Sequence, residues 1–394
     1  MQPQRHRPGT GFTALHLVQP ADGGVARVVL DLVEAQVAAG VRTVVCCPGR
    51  GPLAAEAARR GAEVQLWRAT RAPGPGLLGE VREAARLVRR VRPDLVHAHS
   101  AKAGLAGRLA VRGRIPTVFQ PHAWSFEAVG GTTARLAGAW ERWAVRWTDR
   151  IVCVSEAERR TGERAGIDAS WSVVHNGVDA GRFAPVPAPG AAAGARAALP
   201  LLAPLAPGTP VVVCVGRLCR QKGQDVLLRA WETVVRQLPP ARLVLVGDGP
   251  DAGALRAVAP ASVLFAGAVP DTAPWYRAAD LVVLPSRWEG MAVAPLEAMA
   301  SGRPVVLSDV DGARESLPPG SEAHCLTPPE DPAALAAAVS ALLHDGPLRA
   351  ELGRQGRSHV LSTYDVRQTA QAIADVYRDV AVVPCPERRE PIPQ

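Results

Sequence analysis

The sequence contains almost no lysine. Of its 45 basic residues only Lys102 and Lys222 are lysines, and the other 43 are arginines. This skew, together with the many alanine, glycine and proline residues, is typical of a GC-rich coding bias and excludes no function by itself. Both lysines nevertheless lie in glycine-flanked stretches predicted to be loops, "HSAKAG" and "RQKGQ", and a compact ammonium differs from a guanidinium fork at a crowded phosphate.

Cysteine pairing motifs and long apolar runs are also absent. The seven cysteines contain no Cys-x-x-Cys pair, which favours reduced, buried thiols over a disulfide framework or a zinc site. No run of about 18 apolar residues occurs, so no membrane span is expected. The polar N-terminus shows no signal peptide, and we therefore expect a cytoplasmic protein.

The length and charge limit the class of protein. A chain of 394 residues with 47% apolar residues predicts two globular domains. A net charge of +8 predicts a negatively charged partner, such as phosphate groups, nucleic acid or anionic lipid. Arginines are scattered over all the predicted helices and aromatic runs are few, so a nucleic-acid-binding protein is the weaker alternative.

Short β-branched runs alternate with amphipathic stretches in two series. This alternation predicts α/β domains of the doubly wound, Rossmann-like type, which face a central cleft and bind ligands at the carboxyl ends of parallel strands. The domains are expected at residues 1–184 and 211–363, with a Pro/Ala-rich linker at 185–210, a C-terminal helix at 364–382 and a disordered tail at 383–394. The predicted strands are Thr13–Val18, Thr43–Cys47, Glu63–Trp67, Leu95–His99, Thr117–Gln120, Ile151–Ser155, Ser172–Asn176, Val211–Gly216, Arg242–Gly247, Val263–Gly267, Leu281–Ser286 and Pro304–Asp309.

The most informative stretch is "PSRWEGMAVAPLEAMASGRPVV", which places Glu289 and Glu297 eight positions apart. It follows a buried strand, and a helix is expected to start at Pro295 and to stop at Gly302. Backbone N–H groups at the start of a helix can receive a phosphate, and carboxylates beside a phosphate suit hydroxyl groups. The N–H groups concerned belong to Met291, Ala292 and Val293.

Plainer interpretations of these carboxylates are a solvated loop charge at Glu289 and a capping box at Glu297. The capping box is disfavoured because Ala294 stands where Ser or Thr is needed. A second acidic pattern, Asp309-Val-Asp311, matches one that some enzymes use for a divalent ion. We interpret it as loop carboxylates and expect no metal.

A pair of cations lies in "VGRLCRQKGQDVLLRAW". Arg217 and Lys222 follow a strand and precede a helix, in a loop that also contains Gly216 and Gly223. Two cations at this spacing could clamp a diphosphate through charge-assisted hydrogen bonds. The alternative is an ordinary basic loop, which an arginine-rich chain has in abundance.

The first half contains weaker signals. Gly23 and Gly24, at a strand-to-helix turn, allow backbone to approach a ligand, although a mere tight turn explains them equally well; without G-x-G-x-x-G a nicotinamide enzyme is disfavoured. His122 ends a strand and could donate to a sugar hydroxyl or to a backbone carbonyl. His97 and His99 share a strand face, but no acidic or cysteine partner is nearby, which disfavours zinc.

The stretch "ARLAGAWERWAVRWTDR" predicts an amphipathic helix. Trp140, Trp143 and Trp147 fall on one face and several arginines on another. This arrangement could lay the first domain on an anionic bilayer, and the alternative is that the tryptophans pack on the sheet. The arginines are Arg135, Arg142, Arg146 and Arg150.

Together these motifs resemble the retaining glycosyltransferases of family 4, which have the GT-B fold. The similarity covers about residues 13–380, and the segment from Glu289 to Glu297 corresponds to the family's most specific signature, E-x7-E. Ala123 departs from the family pattern, which commonly has glycine there, and Met291 replaces a common phenylalanine. The matching pieces are Gly23-Gly24, "VHAHSAKAG", "PHAW", "HNGVD", "GRL", "QKG", "VGDGP", "AADLVVLPSRWEG", "PLEAMASGRPVV" and "DGARESL".

The resemblance implies a retaining, metal-independent transfer of a sugar from a nucleoside diphosphate sugar, with no cofactor. It implies that Glu289 contacts hydroxyls of the donor sugar and Glu297 the ribose. Arg217 and Lys222 would hold the diphosphate, and His122 would touch the sugar. The other implied donor-site residues are Gly23, Gly24, Gly267, Val269, Gly290, Met291, Ala292 and Val293.

The acceptor and the donor base are not identified by the sequence. The motif "HSAKAG" resembles members that build surface polysaccharides on lipid carriers. By this analogy we expect a lipid-linked or polysaccharide precursor as acceptor and a location at the inner face of the membrane. A sugar-nucleotide 2-epimerase of the same GT-B fold is the alternative enzyme.

Overall fold

The computed structural model describes residues 11–49, 51–185 and 191–382. The chain divides into two units, and each is described by itself below. Unit 1 comprises Met1–His175 with Val366–Gln394, and unit 2 comprises Asn176–Asp365. The division therefore lies earlier in the chain than the linker expected at 185–210, and the C-terminal helix belongs to unit 1. The tail predicted at 383–394 lies outside the described residues.

Hydrogen bonds explain why the stretch before the expected linker belongs to unit 2. The guanidinium of Arg277 donates to the carbonyls of Arg182 and Ala184. Beyond the gap, residues 191–197 form a helix whose Arg196 is paired with Asp280 at 2.7 Å. The helix at 191–197 is thus attached to unit 2 through Arg196, which also donates to the Ala278 carbonyl at 2.8 Å.

Unit 1 is built on a seven-stranded parallel sheet with the strand order β3-β2-β1-β4-β5-β6-β7. Its strands are β1 (Thr13–Val18), β2 (Arg42–Cys47), β3 (Glu63–Leu66), β4 (Leu95–His99), β5 (Thr117–Gln120), β6 (Arg150–Cys153) and β7 (Trp171–Val173). Its helices between these strands are α1 (Gly23–Ala38), α2 (Leu53–Arg59), α3 (Leu77–Val91), α4 (Ser100–Val111), α5 (Gly131–Ala144) and α6 (Glu156–Arg164).

Unit 2 has a six-stranded parallel sheet with the order β10-β9-β8-β11-β12-β13. Its strands are β8 (Val211–Val215), β9 (Arg242–Val246), β10 (Val263–Gly267), β11 (Leu281–Leu284), β12 (Val305–Ser308) and β13 (Leu326–Thr327). Its helices are α7 (Ala191–Ala197), α8 (Gln224–Gln237), α9 (Ala252–Val258), α10 (Ala273–Ala278), α11 (Val293–Ala300), α12 (Ala313–Ser316), α13 (Glu322–Cys325), α14 (Pro332–His344) and α15 (Gly346–Thr363). The last helix of the chain, α16 (Val366–Val382), belongs to unit 1.

Both sheets are doubly wound, as predicted. In each one the chain runs outward over three strands and then returns to the centre, so that the order reverses between β1 and β4 in unit 1 and between β8 and β11 in unit 2. All the predicted strands exist, with ends that differ by up to three residues. Strand β13 was not predicted, because two residues carry no periodic pattern.

Burial on both faces explains the continuous apolar strands. Every residue of β1 and of β8 is buried, as expected for central strands covered by helices on both sides. Ligands of doubly wound folds bind where the strand order reverses, at the carboxyl ends of the strands. Among the helices of the described residues, none combines the length and the apolar character needed to cross a bilayer.

Candidate active site

In unit 2 the two most informative loops lie at the point where the strand order reverses. The loop after β8 contains Arg217 and Lys222, and the loop after β11 contains Glu289. Gly223 brings these loops together: its φ is +66°, and a Cβ there would stand 2.0 Å from the carbonyl oxygen of Pro285. Only glycine tolerates both that backbone conformation and so close an approach.

Lys222 and Glu289, singled out separately in the sequence, form an ion pair. The Lys222 Nζ donates to Glu289 Oε1 at 2.5 Å, and the side chains are 21% and 10% exposed. The pair therefore joins the expected phosphate-binding cation to the expected sugar-binding carboxylate. The positive charge of Lys222 offsets the repulsion that Glu289 would exert on a nearby phosphate.

Arg217 is partly exposed, and within the described part of the chain no hydrogen bond or ion pair reaches its guanidinium. Its own carbonyl accepts from Gln224 Nε2 at 3.0 Å, which holds the backbone of the loop in place. A fixed backbone with a guanidinium that lacks a protein partner is suited to an anionic ligand.

Arg287, which the sequence analysis did not single out, fastens the two loops to each other. It donates to both carboxylate oxygens of Asp225 at 2.8 and 2.7 Å, to Glu330 at 2.8 Å and to the carbonyl of Arg220 at 2.8 Å. The hydrogen bonds to Asp225, helped by those to Glu330, raise the pKa of Arg287 despite its partial burial. No pattern in the sequence distinguishes it from the other arginines.

The helix after Glu289 begins at Val293, not at Pro295 as predicted, and Ala292 is its N-cap. Pro295 is the third helical residue, where its missing N–H is one of those that have no intrahelical partner. The predicted end is confirmed: Gly302 follows the C-cap with φ +71°. Met291, Ala292 and Val293 thus stand at the helix start, as expected for a phosphate site.

Two contacts fix the loop that precedes this helix. The buried Asn176 donates to the Met291 carbonyl at 2.7 Å. Gly312 packs against the same loop so closely that a Cβ on it would lie 2.1 Å from the Gly290 carbonyl oxygen. Asn176 belongs to "HNGVD" and Gly312 to "DGARESL", and the structure explains both motifs as supports of the loop that contains Glu289.

Glu297 is buried near the start of α11 and is oriented by two hydroxyl groups. Tyr276 OH donates to Glu297 Oε2 at 2.8 Å, and Thr272 Oγ1 is 3.5 Å from the same atom. Burial, followed by the negative charge of Glu297, raises the pKa of Tyr276 well above its usual value, so the phenol remains a donor. A carboxylate held in one orientation is suited to accept from a ligand diol.

A pocket adjoins these groups. Its lining includes Glu289, Ser286 and Asp311, and the buried Ser286 Oγ has no hydrogen-bond partner among the described residues. Asp309, the other half of the Asp-x-Asp pattern, is paired with Arg314 at 2.5 Å. Within the described ranges these aspartates belong to no cluster of three potential metal ligands.

The remaining expected donor residues of unit 2 follow β10. Gly267 is the last residue of that strand, with φ +73°, and Val269 is partly exposed in the loop that follows. Asp271, at the end of the same loop, pairs with Arg182 at 2.9 Å. The only polar groups of Val269 are those of its backbone, and its expected place in the donor site remains a prediction.

In unit 1 the corresponding reversal point contains Gly23 and Gly24, which are exposed at the start of α1. Gly23 has φ +67°, and a Cβ on it would meet no atom within 4 Å. The backbone conformation therefore accounts for Gly23 without a ligand. Its role toward a phosphate remains a prediction.

His122 lies in a strained turn after β5. Its φ is +56°, and Ala123 has φ +107°, a region that residues with a side chain seldom adopt. The Ala123 N–H donates to Glu158 Oε1 at 2.5 Å, and Val154 N–H donates to the other oxygen at 2.7 Å. The departure at position 123 is thus an alanine in a glycine conformation, and such strain is typical of functional sites.

Glu158 was missed by the sequence analysis, although a signal was present. Ser155 and Glu158 have the spacing of a capping box, and Ser155 caps α6 by accepting from the Glu158 N–H at 3.0 Å. Glu158 is completely buried, and its carboxylate holds the turn that contains His122 in place by accepting from the Ala123 N–H.

Beside His122 lies a group of histidines that are completely buried, His16, His97 and His99. His16 of β1 is paired in register with His97 of β4, so the topology adds a third imidazole to the two on one strand face. Their ring nitrogens lie within 4.8 Å of one another. Only His97 and His99 were predicted to share a face, because the parallel pairing of β1 with β4 is not visible in any local stretch of sequence.

Lys102, predicted in a loop, lies instead in the first turn of α4 and is buried. Its Nζ is 2.5 Å from Glu80 Oε2 and donates to the Ala72 carbonyl at 3.0 Å. Burial acts to raise the pKa of Glu80, but the contacts with Lys102 and Thr70 outweigh it and hold the pKa below its usual value. Lys102 is therefore a structural residue.

The tryptophan-rich stretch only partly matches its predicted pattern. The helix ends at Ala144, and Trp147 lies in a 3-10 turn. Trp140 packs inward, with the buried Arg108 above its ring, whereas Trp143 is 41% exposed and stacks edge-on against Trp147. The tryptophans thus divide between the core and the surface.

Two family models match the chain. Residues 22–182 match the model for Glycosyltransferase Family 4, and residues 209–345 match that for Glycosyl transferases group 1. The matched regions contain Gly23 and His122 of unit 1 and Arg217, Lys222 and Glu289 of unit 2. Two Rossmann-like units with these sequences define a glycosyltransferase of the GT-B class, an enzyme that uses nucleotide sugars.

The chain belongs to glycosyltransferase family 4. It is 33% identical over 252 residues to a lipopolysaccharide core biosynthesis mannosyltransferase of Rhizobium leguminosarum bv. viciae. The aligned region covers 61% of this chain and 68% of that protein. The chain is 34% identical over 312 residues to D-inositol 3-phosphate glycosyltransferase 2 of Catenulispora acidiphila, covering 72% and 70%. This membership favours a transferase over both alternatives.

Solved structures support the fold. The Anabaena HepE protein, in complex with UDP and glucose, superposes with a TM-score of 0.77 at 24% identity and covers 92% of this chain and 98% of that one. A sucrose-phosphate synthase from Thermosynechococcus elongatus gives the same TM-score and identity, with 94% and 99% covered. At this identity the likeness concerns the fold alone, which is that of the GT-B glycosyltransferases.

Proposed function

We propose that the protein transfers a hexose from a nucleoside diphosphate sugar with retention of configuration and without a metal ion. The observation that carries this proposal is the arrangement of Lys222, Glu289 and Arg217 at the reversal point of unit 2. An ion-paired lysine and a guanidinium with no protein partner among the described residues stand at the rim where ligands of such folds bind.

The two cations serve the departure of the leaving group. As the bond from the sugar to the diphosphate breaks, negative charge grows on the phosphate oxygens. Arg217 and Lys222 stabilise that charge together with the N–H groups at the start of α11, and they need no reorganisation at the moment of reaction. They supply the positive charge that a divalent ion supplies elsewhere, which is why we propose metal independence.

The proposed retention rests on the similarity to the retaining enzymes of family 4, and the state of Glu289 supports a route that uses no enzyme nucleophile. The Glu289 carboxylate is bonded to Lys222, and a carboxylate whose charge is balanced in this way is a weak nucleophile. We therefore assign Glu289 to the hydroxyls of the donor sugar and propose that the acceptor attacks from the face that the diphosphate leaves. Glu297, oriented by Tyr276, is assigned to the ribose, and His122 to the sugar.

The acceptor is proposed from the relatives. One acts in lipopolysaccharide core biosynthesis, and an Escherichia coli relative, 30% identical over 240 residues, is a galactosyltransferase named for a diphosphoundecaprenol-linked substrate. That match covers 60% of the relative. We propose a lipid-linked or polysaccharide precursor as acceptor.

Thermal unfolding with UDP-, GDP- and ADP-sugars identifies the donor, because a bound donor stabilises the folded state by about 2.7 kcal/mol at 100 times its Kd.

Separate substitutions of Glu289 and Glu297 test the proposed roles of these two residues. Glu297→Ala should weaken the binding of the free nucleoside diphosphate and of the whole donor alike, since the ribose is common to both. Glu289→Ala should leave the affinity for the free nucleotide nearly intact and lower turnover, because the sugar loses its orientation. Calorimetry with the nucleotide and kinetics with the intact donor separate the two variants.

The matched control is Glu232→Ala, on the helix after the Lys222 loop, where nucleotide affinity and turnover should both stay at the wild-type level. Equal losses of nucleotide affinity in the Glu289 and Glu297 variants would contradict the assignment of Glu289. Conversion of the donor to an isomer in the absence of acceptor would identify an epimerase and overturn the proposed transfer.

We also propose that α5 contacts an anionic membrane surface. Leu136 and Trp143 of this helix are 71% and 41% exposed, and the exposed Arg135 and Arg142 lie beside them. Exposed apolar and basic side chains on one helix are typical of binding at the interface of an anionic bilayer. Flotation with anionic liposomes at low salt tests this: Trp143→Ala should reduce binding, whereas Leu361→Ala, an exposed apolar control in unit 2, should not. Absence of wild-type binding would refute it.

A further inference from the structure

A chain of hydrogen bonds joins His122 to the interior of unit 1. His122 Nε2 is 3.2 Å from His99 Nδ1, and His99 Nε2 is 3.0 Å from His16 Nδ1. His16 Nε2 is in turn 2.8 Å from Gln36 Oε1. Three imidazoles thus connect the strained turn after β5 with the first helix through β4 and β1.

The imidazoles of this chain are neutral. Burial lowers the pKa of His16 to about 4 and that of His122 to about 3, and it lowers the pKa of His99 well below its usual value. Gln36, which ends the chain, has no charge that could stabilise an imidazolium. A neutral imidazole carries one proton, so each ring has one donor nitrogen and one acceptor nitrogen.

One proton per ring makes the tautomers interdependent. Gln36 Oε1 can only accept, so His16 carries its proton on Nε2 and its Nδ1 is an acceptor. His99 must then donate from Nε2 to His16, which leaves His99 Nδ1 to accept from His122. The proton of His122 is therefore on Nε2, and its Nδ1 keeps a lone pair.

The tautomers of all three rings depend on the orientation of the Gln36 amide. Its Nε2 donates to Tyr377 OH at 3.5 Å, and its Oε1 also accepts from Thr43 Oγ1 at 3.4 Å. Tyr377 OH is 2.8 Å from His97 Nδ1. In this orientation the amide presents its oxygen to His16 Nε2 at 2.8 Å, and the two hydroxyl groups, which can each donate or accept, complete its contacts.

A metal ion is the competing explanation for the histidines. His16, His97 and His99 bring their ring nitrogens within 4.8 Å, and His97 Nε2 is buried without a hydrogen-bond partner among the described residues. However, the inward nitrogens of His16 and His99 are already bonded to each other at 3.0 Å. Three histidines can hold a zinc ion, so the hydrogen bond between His16 and His99 is the observation that weighs against an ion here. The observations therefore favour the proton chain.

We propose that Gln36, His16 and His99 are positioning residues that hold His122 as the Nε2–H tautomer, so that His122 offers Nδ1 as an acceptor to a hydroxyl of the donor sugar. The inference rests on the proposed function for the contact between His122 and the sugar. The tautomer itself is a property of unit 1 and can be measured without a substrate.

The test begins with nitrogen-15 NMR of the full chain, in which the two ring nitrogens of a neutral histidine have distinct shifts. The His122 signals are assigned by their loss in His122→Gln. The wild type should have the Nε2–H tautomer at His122 at neutral pH. Gln36→Met removes the acceptor that starts the chain, and His122 should then become a mixture of both tautomers.

Kinetics provide the second measurement. Gln36→Met and His99→Leu should lower kcat about 3- to 10-fold, the size of one hydrogen bond, with little change in KM for the donor. His99→Asn should recover most of the loss, because its amide oxygen can accept from His122 Nε2–H near the position of Nδ1. If His99→Leu does not fold, the Gln36 variant carries the test.

The outcomes separate this inference from the proposed function. A wild-type His122 that is charged, or protonated on Nδ1, overturns the inference, and so does an unchanged tautomer in Gln36→Met. A metal content of one equivalent in purified protein, lost in His97→Ala, would assign the cluster to an ion and also overturn it. Full turnover in His122→Ala would refute the proposed sugar contact and leave the measured tautomer standing.

Discussion

The two lysines of this chain make the same kind of bond in different surroundings. Lys102 in unit 1 and Lys222 in unit 2 each lie 2.5 Å from a glutamate, at the carboxyl end of a central strand. The side chains of Lys102 and Glu80 are 3% and 6% exposed, whereas those of Lys222 and Glu289 are 21% and 10% exposed. The Lys102–Glu80 pair is therefore closed to solvent, which makes it the sealed pair, whereas the Lys222–Glu289 pair is partly accessible to solvent and is the open pair.

Their neighbours explain the difference. Glu80 also accepts from the N–H and the hydroxyl of Thr70, at 2.9 Å each, and Lys102 donates to the Ala72 carbonyl, so the first pair fastens a loop. Lys222 makes no contact of that kind among the described residues, and its loop also contains Arg217, whose guanidinium has no partner in the same part of the chain. An ion pair whose other hydrogen-bonding positions are filled is structural, and one with open positions can also bind a ligand.

The largest expected effect is on stability, in Lys102→Met. Removing one partner of a buried pair leaves the Glu80 charge uncompensated, and the free energy of unfolding should fall by about 3–5 kcal/mol. Urea denaturation measures it. The double variant Lys102→Met/Glu80→Gln should recover part of the loss, because an amide is uncharged and still accepts from Thr70. No recovery would mean that Lys102 acts by packing alone.

Lys222→Met is the matched change at the open pair, and its main effect should be on binding. We expect donor affinity to fall by about 1.5–3 kcal/mol, the size of a charged hydrogen bond, while the free energy of unfolding falls by less than in Lys102→Met, because Lys222 is the more exposed lysine. Calorimetry with the nucleoside diphosphate and urea denaturation measure the two. A large loss of stability with unchanged affinity would show that both lysines are structural.

The sealed pair should also respond to acid. Because the pKa of Glu80 is lowered in the folded state, its contribution to stability is present above its unfolded pKa of about 4.3 and is lost as the pH falls through the folded value. In Glu80→Gln the free energy of unfolding should therefore fall less steeply below about pH 4.3 than in the wild type. Equal slopes in denaturation series at several pH values would contradict this account of Glu80.

The smallest effect should come from the turn that carries His122. Ala123→Gly relieves a φ of +107°, which costs of order 1–3 kcal/mol, and it adds freedom to the unfolded chain, which offsets about 0.4–1 kcal/mol. A net gain of stability of about 1 kcal/mol is expected in thermal unfolding. Ala128→Gly, at a position without positive φ, should destabilise, and a loss of stability in Ala123→Gly would mean that the turn is not strained.

Local patterns determined much of this protein. Continuous apolar runs predicted both parallel sheets, because strands buried on two faces contain few polar residues. The same patterns placed Arg217, Lys222 and Glu289 in loops after strands and Glu297 in the helix that follows Glu289. The start of α11 was displaced by two residues, since Pro295 is tolerated throughout the first turn and marks no unique position.

Tertiary structure alone decided which of these residues meet. The pairing of Lys222 with Glu289 depends on the adjacency of β8 and β11, and the histidine chain depends on that of β1 and β4. Strand order is set by packing between segments far apart in sequence, which no local pattern encodes. The sequence could therefore identify two rare lysines, but only their burial and their partners separate the structural one from the one placed to bind a ligand.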